Sequence, residues 1–291
     1  MKIIDGSKRY YKGNLHAHTT VSDGKRTPEA LMREYADHGY DFLALTDHRK
    51  VGGEQRCGEM LVLPGVEYDF TYETQVLHVV AILPDKAAGD GIDCRAMGHG
   101  EVIRLVNERG GVPIAAHPAW SLNTPDFLMS LDGIEISEVY NTLSNEPVNA
   151  DRGDSSQVLD VVAANGKLFN FVATDDTHFC VGEQCQSYIM LQADELSVEG
   201  VIRALKAGRF YASPGPEFKD VEIVGDELIV RTTPVSMCTF SSNVYWVEGR
   251  CRTGEGITEQ VYKLHPNDKF VRCTVTDAQG RKAWTSPIKV K

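Results

Sequence analysis

The chain has 291 residues, of which 42% are apolar, and a formal net charge of −11. The acidic balance argues against duplex nucleic acid as a partner, because duplex-binding proteins carry a basic face. No stretch has the apolar length of a signal peptide or a membrane span, and seven cysteines without framework-like spacing favour a reducing compartment. We therefore expect a globular, cytoplasmic protein that binds neither membranes nor duplex nucleic acid.

Between about residues 13 and 211, short apolar runs alternate with segments of helical pattern. One helix starts at the N-cap Thr27 with Pro28 and stops at Gly39; Asp154–Asn165 and Ser197–Ala207 also end at a glycine. This alternation predicts an α/β fold whose parallel strands are joined by right-handed crossovers. The candidate strands are Asn14–Ala17, Phe42–Leu45, Val76–Leu83, Val112–Ala116, Ile134–Ser137, Leu168–Ala173 and Tyr188–Leu191.

After residues 214–216, which read Pro-Gly-Pro, the pattern changes to short alternating runs without a helical period. Such runs predict a small antiparallel, sandwich-like β domain. We therefore divide the chain into an α/β domain at 1–213 and a β domain at 214–291. The candidate strands of the second domain are Glu227–Thr232, Val244–Glu248, Gln260–Leu264 and Phe270–Thr276.

Metal-ligand side chains stand in or at the ends of most candidate strands of the α/β domain. His16 and His18 form a His-x-His that points to one side of a strand, and Asp23 follows in the adjoining loop. His48 ends the apolar run that closes in Thr-Asp-His, and Glu67 ends another apolar run. Further along, His78 lies inside an apolar strand, and His117 ends another strand in a His-Pro motif. Asp176 and His178 form an Asp-x-His motif at the end of a third strand.

The joint pattern is far more specific than any single motif. Of nine histidines, six lie in or at the ends of these strands. Histidines placed only for packing would scatter over helices and loops. Because the carboxyl ends of strands in an α/β fold meet at one face, the pattern predicts a multinuclear metal site there.

These motifs, in this order, resemble the PHP (polymerase and histidinol phosphatase) family over about residues 13 to 180. The resemblance implies a distorted (β/α)7 barrel and two or three divalent metal ions, Zn, Mn or Fe. It also implies three ligand sets, with Glu67 shared between the first two. They are His16, His18, Glu67 and Asp176; Glu67, His78 and His117; and Asp23, His48 and His178.

A second, shorter resemblance lies at residues 208–213, which read Gly-Arg-Phe-Tyr-Ala-Ser. It is similar to the Gly-Arg-x-Tyr-Ala-Ser element of the CehA/McbA-like metallohydrolases, a PHP subgroup in which this element precedes a C-terminal β module. Arg209 is therefore a candidate for binding a substrate phosphate, since its planar guanidinium matches phosphate oxygens; an ordinary ion pair is the alternative. Asn141 closes a strand at the same expected face and is a second candidate for contacting substrate.

We interpret the chemistry as attack of a metal-bridged hydroxide on a phosphoester of a small metabolite or nucleotide. His48 or His178 would protonate the leaving oxygen. Asp47 and Asp175 either orient neighbouring imidazoles or cap strand ends. A carboxylic or carbamic ester substrate, with the same metals, is the alternative. A non-catalytic binding module is disfavoured, because structural zinc sites are usually closed and rich in cysteine.

Overall fold

The computed structural model describes residues 1–290, so that Lys291, the last residue of the expected β domain, lies outside the described part. It is a mixed α/β structure with many strands and few helices. Five helices are present in residues 1–290: α1 Pro28–Asp37, α2 His99–Glu108, α3 Pro125–Met129, α4 Ser156–Ala164 and α5 Val198–Lys206. None of them is long and apolar enough to cross a membrane.

The strands fall into two groups along the chain. The first eleven are β1 Lys2–Asp5, β2 Tyr10–Asn14, β3 Phe42–Leu45, β4 Gln55–Cys57, β5 Met60–Thr71, β6 Val76–Ile82, β7 Val112–Ala115, β8 Ile136–Asn141, β9 Asn170–Thr174, β10 Tyr188–Gln192 and β11 Phe210–Ser213. The remaining six are β12 Phe218–Val224, β13 Glu227–Ser242, β14 Cys251–Lys263, β15 Phe270–Thr276, β16 Lys282–Trp284 and β17 Ile288–Lys289.

The predicted helix boundaries follow the capping residues closely. The Thr27 side chain accepts a hydrogen bond from the amide of Ala30, and Ser197 does the same at the start of α5. The chain leaves α1 and α5 through Gly39 and Gly208, whose φ angles of 72° and 64° suit a residue without a Cβ. These caps explain why the ends of both helices were predictable.

The expectation that the strands are all parallel is wrong. β2–β3, β3–β5, β7–β8 and β8–β9 pair in parallel, whereas β5–β6, β6–β7 and β10–β2 are antiparallel. Only four residues separate Thr71 from Val76, too few for a crossover, so that β5 and β6 form a hairpin. The strand expected at Asn14–Ala17 also ends earlier, at Asn14, and leaves His16 and His18 just beyond it.

Every regular element after Phe218 in the described residues is a strand, and all the pairings among these strands are antiparallel. β1, from the other end of the chain, joins this group by pairing with β12. The expected strand Val244–Glu248 is instead a turn. Its aromatic residues Tyr245 and Trp246 are 96% and 70% exposed, and the Arg250 guanidinium donates to the carbonyls of Val244 and Tyr245.

The two groups of strands share buried contacts. Trp284 of β16 pairs with Ala212 of β11 and stacks on Tyr140 of β8, with ring centroids 5.7 Å apart. The Arg272 side chain, only 4% exposed, makes a bidentate ion pair with Asp160 on α4, at 2.6 and 2.7 Å. This ion pair ties β15 to α4.

We expect Asp160→Ala to destabilise the protein by about 3 kcal/mol, since it leaves a buried guanidinium without its counter-charge. Urea unfolding measures the change. The control is Asp226→Ala, which removes an exposed pair with Lys263 at 3.7 Å and should change stability by less than about 1 kcal/mol. Equal losses in the two variants would show that the Asp160 pair does not hold the two groups together.

Candidate metal centre

The segments that follow β2 and β9 lie side by side. The amide of Asp176 donates to the carbonyl of His16 at 2.9 Å, and the amide of His18 donates to the carbonyl of Thr177 at 2.9 Å. These two hydrogen bonds place the His-x-His motif next to the Asp-x-His motif, although 160 positions of sequence separate His16 from Asp176.

The other motif residues come from neighbouring strands. His48 follows β3 and forms an isolated parallel bridge with Glu67 in the middle of β5. His78 lies on β6, the hairpin partner of β5, and His117 follows β7. The hairpin and the parallel strand ends therefore supply ligands to the same point.

The carboxylate of Glu67 is the centre of the cluster and is only 1% exposed. Its two oxygens contact five imidazoles. Oε1 lies 2.9 Å from His78 Nδ1, 3.3 Å from His16 Nε2 and 3.4 Å from His117 Nε2, while Oε2 lies 3.1 Å from His18 Nε2 and 3.2 Å from His48 Nδ1.

Asp176 is the second buried carboxylate of the cluster. Its Oδ1 lies 3.1 Å from His16 Nε2 and 3.2 Å from His18 Nε2. Asp176 and His117 have positive φ angles, 54° and 31°, which non-glycine residues rarely adopt. Backbone strain of this kind is concentrated at functional sites, where the surrounding structure holds it.

The cluster opens to solvent at one end. The side chains of His48 and His178 are each 14% exposed and that of Asp23 is 54% exposed, whereas His16 and His18 are fully buried. Asp23 lies 3.6 Å from His48 Nε2 and 3.6 Å from His178 Nε2. A small molecule would therefore approach from the side of Asp23.

The titration behaviour reflects the crowding of imidazoles and carboxylates. Burial lowers the pKa of His16, but Asp176, Glu67 and Glu138 outweigh burial and raise it well above its ordinary value. Burial opposes charge on Glu67 too, yet His16 and the other imidazoles hold its pKa well below its usual range. The buried site thus favours charged carboxylates, which need cationic partners.

The donor set fits divalent metal ions. In the described residues, two buried cluster atoms, His48 Nδ1 and Asp176 Oδ1, have no hydrogen-bond partner, although each has ionisable atoms within 3.2 Å. The Nε2 atoms of His16 and His18 face each other at 3.1 Å. Imidazole nitrogens and carboxylate oxygens that converge at such short distances are the ligand atoms that Zn, Mn or Fe ions bind.

All nine predicted ligands occur in groups whose donor atoms lie within 4.8 Å of one another. One group, Glu67 with His78 and His117, has the expected membership, and the exposed group contains His18 in addition to the expected three. The expected four-residue set is represented by two overlapping groups. The groups are Glu67, His78 and His117; His18, Asp23, His48 and His178; His16, His18 and Glu67; and His16, His117 and Asp176.

Glu138 on β8 contacts residues of the cluster on the side away from the cavity. The sequence motifs do not include it. Its fully buried carboxylate accepts from His16 Nδ1 at 2.8 Å and from the amide of His117 at 2.8 Å. A carboxylate on the far nitrogen of a ligand histidine fixes its tautomer and raises its basicity. The one sequence signal was an acidic residue inside the apolar run of β8.

Asn141 also belongs to this supporting layer. It is fully buried, and its amide donates to Glu138 Oε2 at 2.8 Å and to Asp176 Oδ2 at 3.2 Å. Its oxygen accepts from the amide of Ser144 at 2.9 Å. The structure thus places the Asn141 side chain among carboxylates, where it positions Asp176, and not in the open cavity.

Asp47 and Asp175 do not orient imidazoles. Asp47 accepts from the amide and hydroxyl of Thr19 and from Ser22, and so shapes the loop that carries Asp23. Burial raises the pKa of Asp175 to about 7, although hydrogen bonds from Ser187, Tyr35 and other groups oppose the rise. Both carboxylates accept hydrogen bonds from backbone amides just beyond strand ends. This agrees with the alternative expectation, that they cap strand ends.

The structure does not bring Arg209 to the cluster. The Arg209 carbonyl accepts from the amide of Gln192, and Gln192 pairs with Tyr10 at the start of β2. The cluster lies beyond the opposite end of β2. The physical reason is that β10 is antiparallel to β2, an arrangement that the motif at 208–213 does not reveal.

Glu183 holds the turn that carries His178. This buried carboxylate accepts four backbone hydrogen bonds, from the amides of residues 178, 179, 180 and 181, at 3.2, 2.6, 2.6 and 2.9 Å. Burial opposes its ionisation, but these amides lower its pKa. The turn is therefore fixed around a charged group, and no ligand motif includes Glu183.

A cavity of about 280 Å³ adjoins the cluster. Its lining consists of cluster side chains, of the apolar side chains Trp120, Leu143, Val148 and Phe179, and of the polar side chains Ser144 and Asn149. The cavity combines convergent polar groups with apolar side chains, as small-molecule sites do.

We expect Glu138→Gln to weaken metal binding by 10-fold to 100-fold, roughly the loss usual for a lost partner of a ligand histidine. Metal content after dialysis against graded chelator measures the affinity. Glu135→Gln is the matched control, because Glu135 is exposed just before the same strand. Unchanged metal retention in Glu138→Gln would show that Glu138 does not support His16.

The metal-free protein should lose stability as the pH rises from about 6.5 to 9. Burial lowers the pKa of His178, but Asp23 and Asp176 raise it to about 9, above the unfolded value of about 6.5. The folded state then binds more protons than the unfolded state in this range, so that its stability falls with pH. Urea unfolding in chelator should show this loss, and a smaller loss in His178→Asn; equal slopes would contradict it.

No family model matches the chain. A 5'-3' exoribonuclease of Escherichia coli is 34% identical over 77 residues, which are 24% of this chain and 26% of that protein. An uncharacterized protein of Methanocaldococcus jannaschii is 24% identical over 147 residues, which are 45% of this chain and 83% of that protein. The chain thus spans about a quarter of the exoribonuclease's length.

A solved structure from Bacteroides vulgatus matches almost the whole chain. It is described as a two-domain protein containing a predicted PHP-like metal-dependent phosphoesterase, and it superposes with a TM-score of 0.54 and 16% sequence identity. The match covers 98% of this chain and 96% of the other. The CehA/McbA-like subgroup stays a prediction. The match confirms the resemblance of the chain to the PHP family at the level of the fold. The His/Asp cluster able to bind metal agrees with it.

Proposed function

We propose that the chain is a metal-dependent hydrolase that cleaves phosphate esters of small molecules. The observation that carries this proposal is the cluster around Glu67, which opens through Asp23, His48 and His178 into a cavity. A structural metal site would be closed and rich in cysteine, whereas this one is open and built from histidines and carboxylates.

Two or three divalent ions, Zn, Mn or Fe, would be held by the nine cluster residues. When bound, such ions supply a water of lowered pKa and neutralise charge on phosphoryl oxygens. The buried His16, His18, Glu67 and Asp176 hold the deep part of the site. We further propose that residues 1–213 form a PHP domain of the distorted (β/α)7 type and residues 214–291 the second domain, which β1 joins.

His48 and His178 are the candidates for protonating the leaving oxygen. Both lie at the exposed end of the cluster, and His178 Nδ1 contacts the carbonyl of Asp176 at 2.7 Å. This contact fixes the ring and leaves Nε2 directed toward Asp23, 3.6 Å away. Since Nδ1 donates its proton to that carbonyl, a proton at Nε2 requires the imidazolium form, which the Asp23 carboxylate stabilises. The acid is the one of His48 and His178 that is not committed to a metal ion.

Phosphate contacts are better sought beside the cluster than at Arg209. Asp23 and His48 also line a second depression, of about 470 Å³, whose border includes Lys50 and Arg95. Both cationic side chains are exposed. They are the candidates for attracting an anionic substrate.

The test begins with protein purified with Mn²⁺ or Zn²⁺ and with metal counted by elemental analysis. We expect two or three ions per chain, phosphate release from phosphomonoesters, and loss of release in His16→Ala by a factor of at least about 100, since His16 contacts both buried carboxylates. Glu135→Gln serves as the variant outside the site.

Parallel assays with carboxylic esters, aryl carbamates and a 5'-phosphorylated single-stranded RNA identify the class of substrate. The RNA is included because of the name of the Escherichia coli relative. Ester cleavage without phosphate release would transfer the function to the alternative ester hydrolase. Absence of bound metal and of turnover on every substrate would refute the hydrolase hypothesis.

A further inference from the structure

Two of the large apolar side chains that line the cavity are exposed to solvent. Val148 is 80% exposed and Phe179 is 46% exposed, and both line the cavity together with Trp120 and Leu143. Single apolar residues on a surface need no explanation, but several of them that line the same cavity as a polar cluster indicate a binding surface. We call these four residues the apolar wall.

The apolar wall is held in place from both sides. Trp120 Nε1 donates to the Asn149 side chain at 3.0 Å, and the Asn149 amide donates to the carbonyl of Leu143 at 2.9 Å. On the other side, the amide of Phe179 donates to the buried Glu183 carboxylate at 2.6 Å. The wall is therefore a built feature that exists before any ligand binds, and preorganisation of this kind lowers the cost of binding.

We infer that the apolar wall binds the alcohol part of the substrate, and that the enzyme acts on esters of aromatic or similarly bulky apolar alcohols. The inference rests on the proposed function for the position of the ester group, which faces the cluster. The rest of a substrate in the same cavity then faces the four wall residues. Two of these four, Trp120 and Phe179, have aromatic rings that favour stacked or edge contacts with another ring.

The size of the cavity limits the alcohol. A volume of about 280 Å³ lies just below the range of ~300–1,000 Å³ usual for drug-sized ligands. It suits one ring together with its ester group. Of the described residues that line the cavity outside the cluster, only Ser144 and Asn149 are polar, and the Asn149 side chain is already hydrogen-bonded to Trp120 and Leu143. A hydroxyl-rich alcohol would therefore leave most of its polar groups facing apolar side chains, which is unfavourable.

The experiment compares benzyl phosphate with ethyl phosphate, whose leaving alcohols have comparable acidity, on the Mn²⁺-loaded full chain. We expect kcat/KM to be higher for the benzyl ester. Phe179→Ala should lower the benzyl-to-ethyl ratio by about 10-fold, the effect of a lost apolar contact in a pocket, and Val148→Ala should lower it less. Val224→Ala, which removes an apolar side chain that is 54% exposed on β12, should leave the ratio unchanged.

Calorimetric titration with benzylphosphonate and ethylphosphonate, which cannot be hydrolysed, separates this inference from the proposed function. Tighter binding of benzylphosphonate, weakened in Phe179→Ala and not in Val224→Ala, supports the apolar wall even if no phosphate is released. Equal affinities for the two phosphonates, or a benzyl-to-ethyl ratio that Phe179→Ala and Val148→Ala leave unchanged while phosphate release continues, would overturn the inference and leave the hydrolase proposal intact.

Discussion

The structure of the site depends on one buried carboxylate. Burying a charged Glu67 costs several kcal/mol unless hydrogen-bond donors or positive charges surround its oxygens. Five imidazoles do so at 2.9 to 3.4 Å, and they come from positions on or just after β2, β3, β6 and β7. The carboxylate thereby constrains how these strands are arranged. A shift of one residue in any of them would turn a ligand to the other face of the sheet and leave Glu67 without a partner.

The same requirement explains the buried polar residues behind the cluster. Imidazoles that converge on one point must be held by their remaining nitrogens and by the backbone. Glu138 holds His16 and the amide of His117, while Asn141 links Glu138 to Asp176. These hydrogen bonds fix the positions of His16, His117 and Asp176 in the buried interior, where hydrogen bonds are electrostatically stronger than in water. The supporting layer is therefore as necessary to the site as the ligands.

Sequence reasoning identified the residues that form the cluster because each stands in or beside an apolar strand, where a histidine or carboxylate is conspicuous. It also predicted α1 and α5 from their caps. It could not find Glu138, whose role depends on β8 lying beside β7 and β9, a long-range fact that no local pattern contains. It could not tell that the Arg209 backbone lies near the start of β2, away from the cluster, since the direction of β10 relative to β2 is not encoded in the motif around residue 209. The pairing of β1 with β12 was missed because it joins distant parts of the chain.

The C-terminal strands contact the segment that lines part of the cavity. Lys282 makes an ion pair with Asp154 at 2.7 Å, and Trp284 stacks on Tyr140. These contacts clamp both ends of the segment from residue 140 to residue 154, which contributes Leu143 and Val148 to the apolar wall. The segment carries no long regular element of its own, so that its conformation depends on such clamps. The second group of strands thus helps to fix the loop that lines the cavity, through its contacts with Asp154 and Tyr140.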